Sequence, residues 1–333
     1  MDRKWLIRLT SLGLLGLLIG MGQAQPAAAV AGAGFNAPVP VFIAPGSLIT
    51  IFVQGIGDGI TAPVLASALP LPRKLNGISV SLKQTESPQG PFAIPMLAVF
   101  PVPGCRTSIF QNCGKLTGIN VQIPFELVPN PSVSDSLVGP VNYAQLIIQE
   151  DGGAQVAIEA MPVFDRIHVL WTGDTLKNPA AANISRPIPD LTTSVPIVTH
   201  ADGSLVNGGK LAEVGETLTL WATGLGWILP LPHSGEAAPN PPLTGPVTIR
   251  FDYGPDAAPS QPTTPGDSTT GAPQIAALTS GFVGLYQVNF VVPELPAGYL
   301  WRCGIVNSNL TVSIGRKTSF DGAGICVRLP GVQ

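Results

Sequence analysis

One self-match at a constant spacing constrains this chain more than any other feature. The segment Pro45-Gly46-Ser47-Leu48-Ile49-Thr50-Ile51-Phe52-Val53-Gln54-Gly55-Ile56-Gly57 aligns with Val214-Gly215-Glu216-Thr217-Leu218-Thr219-Leu220-Trp221-Ala222-Thr223-Gly224-Leu225-Gly226, 169 positions later. The same offset carries Ile78, Val80 and Leu82 onto Val247, Ile249 and Phe251. It also carries Ile119-Asn120-Val121 and Pro124 onto Val288-Asn289-Phe290 and Pro293. A single match arises by chance; three in one register mark a duplicated unit.

Each matched block reads as a strand. Leu48 to Val53 and Leu218 to Ala222 are rich in β-branched and aromatic residues and end at a glycine. Ile78-Ser79-Val80-Ser81-Leu82-Lys83 and Thr248-Ile249-Arg250-Phe251-Asp252-Tyr253 alternate strictly, which puts Arg250 and Asp252 toward water. Turn signals separate the runs at Asn76-Gly77, Asp151-Gly152-Gly153, Asp202-Gly203 and Asn207-Gly208. No long helical period appears beyond the amino-terminal segment. With 38 glycines and 35 prolines among 333 residues, short strands joined by tight turns fit the composition. The expected fold is all-β: two tandem immunoglobulin-like β-sandwich domains related by internal duplication. Residues 35–164 are expected to form the first domain, 165–193 a connecting segment and 194–327 the second. The Pro/Ser/Thr/Gly tract from Asp256 to Thr270 reads as a mobile loop inside the second domain.

The amino terminus has the layout of a secretory signal peptide, assigned to residues 1–29. Arg3, Lys4 and Arg8 precede an apolar run from Leu12 to Met21, and small residues follow through Ala24 and Ala29, either of which could end it. The run is too short to span a bilayer as a helix, so no transmembrane helix is expected in the mature chain. The expected location is therefore outside the cytoplasm: periplasm, cell surface or extracellular space. There Cys105, Cys113, Cys303 and Cys326 suit disulfides, with chain proximity favouring Cys105–Cys113 and Cys303–Cys326 among three pairings.

At the repeat blocks the chain resembles the Solibacter-type uncharacterised C-terminal domain family of bacteria. The resemblance rests on Ala44 to Phe52, Leu75 to Val80, Ile119-Asn120-Val121-Gln122-Ile123-Pro124-Phe125-Glu126-Leu127, Ala222 to Gly226 and Gly281 to Asn289. It implies exported, IPT/TIG-like Ig-like β domains, and it carries no activity, ligand or catalytic residue. The chain departs from the family pattern in lacking a large partner module and in its insertion from Cys105 to Cys113.

Reactive chemistry finds little support. The three histidines, His168, His200 and His233, form no metal-binding pattern, and no nucleophile elbow or phosphate loop occurs. His233 beside Ser234 lacks a third orienting group, so it reads as a loop histidine. No catalytic residue, metal or cofactor is expected, and the chain is read as a non-enzyme. A net charge of −3 offers no basic field for nucleic acid. The candidate contact residues are apolar. Trp227, Ile228 and Leu229 follow Gly226 in an exposed-looking loop. Phe52 and Trp221 hold equivalent positions, opposite the apolar faces of their strands; one reading is an aromatic platform for sugar or peptide, or an interdomain contact, and the favoured one is that both strand faces are buried or that the aromatics themselves face the core. The expected role is a structural or protein-interaction module with an envelope or extracellular protein as partner. The alternative is a carbohydrate-binding or adhesion module using the aromatic loops.

Overall fold

A computed structural model describes residues 28–33, 41–85, 90–102, 115–130, 142–172, 174, 195–242, 245–252, 268–295, 309–315, 317–318 and 323–328. Among the described residues every regular element is a strand, and no helix is long and apolar enough to cross a membrane. The first half supplies β1 (Ala29–Ala33), β2 (Val41–Ile43), β3 (Leu48–Gln54), β4 (Val64–Leu65), β5 (Lys74–Leu75), β6 (Ile78–Gln84), β7 (Phe92–Ala93), β8 (Met96–Val102), β9 (Leu116–Gln122), β10 (Ala144–Glu150) and β11 (Gln155–Pro162). The second half supplies β12 (His168–Val169), β13 (Val198–Thr199), β14 (Thr217–Thr223), β15 (Val247–Asp252), β16 (Ser268–Gly271), β17 (Ile275–Leu278), β18 (Tyr286–Val291), β19 (Leu310–Ile314) and β20 (Lys317–Thr318).

These strands form four sheets. The first runs β1-β3-β9-β8-β4 and the second β2-β11-β10-β6-β5, with β7 on β6. The third runs β12-β14-β18-β17, with β13 also on β14, and the fourth β16-β15-β19-β20. Alternation drives this layering. In β14, Leu218, Leu220 and Ala222 are fully buried while Thr219 and Trp221 between them are half-buried. Burying each large aliphatic side chain stabilises the fold by roughly 1.5–3 kcal/mol. Ile49, Ile51, Val53, Ile119 and Val121 of the first sheet share one core with Val80, Leu82, Leu146 and Ile148 of the second. Leu218, Leu220, Val288 and Phe290 of the third sheet share another with Ile249, Phe251, Leu310 and Val312 of the fourth. The protein is thus an all-β assembly of facing sheets.

The ladders repeat where the blocks repeat. Leu48 pairs with Gln122 and Ile51 with Ile119 between β3 and β9. Thr217 pairs with Val291 and Leu220 with Val288 between β14 and β18, each position shifted by 169. A parallel contact also recurs. Ile43 of β2 lies beside Pro162 of β11, and Ala212 lies beside Val327, again in parallel.

Several features differ from expectation. β1 begins at Ala29, ahead of Phe35, and pairs with β3. β12 lies in the stretch assigned to the connection, yet it pairs with β14. Ser268–Gly271, the end of the tract read as a loop, forms β16 against β15. Asp252 does not face water: it is 3% exposed at the end of β15, with Arg250 Nε 2.9 Å away. Asp252 is therefore buried, and Arg250 beside it is partly buried. Cys105, Cys113 and Cys303 lie outside the described residues. Cys326 is disulfide-bonded, and its carbonyl accepts a bond from Ala212 N at 2.8 Å.

Candidate functional site

The residues singled out around Trp227 meet at a seam between the two halves. The chain leaves β11 at Pro162 and passes Phe164 and Arg166, whose N–H donates to Gly224 O at 2.8 Å. Gly224 and Gly226 have φ of 74° and 89°. The carbonyls of Arg166 and Phe164 occupy the space a Cβ would need at these two positions. Glycine is required there twice over, by conformation and by contact. The Tyr286 hydroxyl donates to Gly226 O at 2.6 Å, and burial pushes its phenol pKa well above the ordinary value.

Trp227 follows that turn. Its indole Nε1 donates to Phe125 O at 3.2 Å, and its ring meets Phe164 edge-on, with centroids 6.0 Å apart and planes at 85°. Trp227 remains 39% exposed, while Ile228 is buried in the second core and Leu229 is 66% exposed. The three neighbours in sequence therefore separate into a seam residue, a core residue and a surface residue. Leu231 and Phe164 are exposed as well.

The loop then bolts the halves together. Ser234 Oγ accepts from Phe125 N at 2.8 Å and donates to the Glu126 carboxylate. Gly235 N donates to Gln122 Oε1 at 2.6 Å, and Leu71 N donates to Gly235 O at 2.7 Å. Arg73 Nη2 donates to Ser234 O at 3.1 Å. On the other side of the seam, Leu48 N donates to Thr223 Oγ1 at 2.9 Å. Phe125 belongs to the first half by sequence but buries its ring in the second core. The Ser234 hydroxyl is thus bonded to Phe125 and Glu126, and His233 beside it is exposed. None of these partners is legible as a pair, because they lie more than a hundred positions apart and carry no shared motif.

Phe52 and Trp221 do not join the seam cluster. Phe52 packs on the outer face of the first sheet against Ala98, Phe100, Val102 and Leu116, all of them buried. Phe52 itself is half-buried, and its neighbours in this cluster all come from strands of the same sheet. Trp221 lies on the outer face of the third sheet, half-buried, with its Nε1 3.4 Å from Thr199 Oγ1.

A polar groove of about 540 Å³ lies elsewhere, at the end of β13 and β14, lined by His200, Lys210, Glu213, Glu216 and Arg328. Its charges are paired. His200 Nδ1 lies 2.6 Å from Glu216 Oε1, Lys210 Nζ lies 2.5 Å from Asp202, and Arg328 Nε lies 3.3 Å from Glu213. Comparison of the chain with protein-family models, curated proteins and solved structures finds no match.

Proposed function

We propose that the chain is an exported, non-catalytic structural or protein-interaction module of the bacterial envelope or extracellular space. In this reading its two halves are Ig-like domains that arose by duplication, and it belongs with the Solibacter-type proteins it resembles. The strand order supports the Ig-like part. β1-β3-β9-β8 and β2-β11-β10-β6 reproduce the two-sheet pattern in which the first strand is shared between sheets. The ladder shift of 169 positions and the repeated parallel contact support duplication. Export is supported by the amino-terminal sequence.

The observation that carries the interaction role is an apolar rim on a rigid mount. Phe164, Trp227, Leu229 and Leu231 stay exposed beside a seam whose backbone is fixed by bonds from both halves. Exposed apolar side chains held in place lose little freedom on binding, which favours a protein partner. Edge-on packing of Trp227 and Phe164 gives no coplanar platform for a sugar at this loop. The test is cross-linking of the exported protein in its native envelope, with a Leu229→Asp, Leu231→Asp variant alongside. The reading expects one discrete adduct that the variant loses while its circular dichroism is unchanged. An adduct retained by the variant, or none in the parent, rules out the rim as the contact surface.

A further inference from the structure

The third sheet has an outer face whose chemistry differs from that of its counterpart in the first sheet. In the first sheet the row Phe52–Gly118–Phe100 crosses β3, β9 and β8. A Cβ on Gly118 would fall inside the ring of Phe100, so that row is closed and apolar. The matching row across β14, β18 and β17 is Trp221–Gln287–Ala277. The glycine has become an amide, and the large ring at the end has become a methyl. This exchange sets a half-buried indole beside a half-buried amide along the row, with the buried methyl of Ala277 at its end.

The next row is also prepared. Thr219 Oγ1 donates to Asn289 Oδ1 at 3.3 Å, and Gln287 Nε2 donates to the same oxygen at 2.9 Å. Asn289 Oδ1 is therefore engaged twice. Its Nδ2 and Gln287 Oε1 have no hydrogen-bond partner among the described residues and are not buried atoms. The first sheet keeps the same Thr–Asn pair, with Thr50 Oγ1 donating to Asn120 Oδ1 at 2.7 Å, but both residues are buried there. On the third sheet the pair is half-buried and orients a donor and an acceptor beside Trp221. Thr199 and Thr217 flank it, and the face formed by these residues carries no charge.

We infer that this face binds an uncharged glycan, with a pyranose ring stacked on Trp221 and hydroxyls bonded to Gln287 Oε1 and Asn289 Nδ2. A hydroxyl both donates and accepts, so one sugar hydroxyl pair matches one amide acceptor and one amide donor. The C–H face of a pyranose matches the indole ring. The strands hold all three groups in place before binding, which limits the entropy lost. The seam rim plays no part, so this inference stands apart from the proposed protein contact.

Isothermal titration of the full chain with neutral β-1,4-linked gluco-, manno- and N-acetylglucosamine hexasaccharides tests it. At least one should bind, and Trp221→Ala should weaken it by about tenfold or more. Gln287→Ala and Asn289→Ala sit on a half-exposed face and leave the core intact; each should weaken binding by roughly threefold to tenfold. Leu229→Asp should leave binding unchanged. No binding by the parent to any of the three overturns the inference. So does binding that is indifferent to Gln287→Ala and Asn289→Ala together.

Discussion

Phe125→Ala should uncouple the two halves. The residue follows β9 in the chain, yet its ring is 2% exposed inside the core of the second half. The ring also fills the space left by the missing Cβ of Gly46. Truncation removes its apolar burial and leaves a cavity between rigid sheets, a loss of about 3–5 kcal/mol. The backbone bonds at this position, donated by Phe125 N to Ser234 Oγ and accepted by Phe125 O from Trp227 Nε1, do not depend on the ring, so the variant isolates the packing contribution. Differential scanning calorimetry is the assay. The parent should melt in one transition, because the ring belongs to both halves. The variant should melt on the order of 10 °C lower and resolve into two transitions. A loss below about 1 kcal/mol, or a single transition in the variant with its midpoint unmoved, would refute the shared-core argument.

Gly118→Ala should destabilise by about 1–3 kcal/mol, since the added methyl displaces the buried ring of Phe100; urea denaturation measures it. Asp252 gives a pH signature. Burial raises its carboxyl pKa above the ordinary 3.8, and Arg250 only partly opposes this. Above 3.8 the unfolded chain has lost a proton that the folded chain still holds, so stability falls as pH rises to the folded value and then levels. Asp252→Asn should lack that fall when denaturation is followed across this range. If the chain is exported, cleavage should follow Ala24 rather than Ala29, because β1 (Ala29–Ala33) pairs along its length with β3. Mass spectrometry of the mature amino terminus should begin at Gln25, and a start at Val30 would contradict it.

The legible parts of the fold are those dense in aliphatic, β-branched and aromatic side chains. Leu48 to Val53, Ile78 to Leu82 and Leu218 to Ala222 announce strands because their alternation survives in any sandwich. β1 was missed because Ala-Val-Ala-Gly-Ala has almost no side chain to alternate; its pairing comes from the β3 edge, which the sequence of β1 does not describe. Asp252 was misread because period-two alternation says which face a residue takes, not whether that face is open. The seam was illegible for a further reason. Ser234, Gln122 and Phe125 are unremarkable residues locally, and only the docking of the two halves makes them partners. The same limit applied to Trp221. Its offset match with Phe52 is visible, but the difference between the two faces rests on Gly118 against Gln287 and Phe100 against Ala277, and the second comparison requires the register of β8 and β17.

The recurring parallel contact bears on how the molecule responds to tension. β2 and β11 run side by side in the same direction near the entry and exit of the first half, and Ala212 and Val327 do so in the second. Pulling the ends of either half apart drags these neighbours in opposite directions along their length. Their hydrogen bonds, such as Val163 N to Ile43 O and Arg328 N to Ala212 O, then carry the load together in shear instead of opening one after another. A chain strung between two anchored bodies would resist extension at two clamps in series. Single-molecule stretching would register them as two separate force peaks.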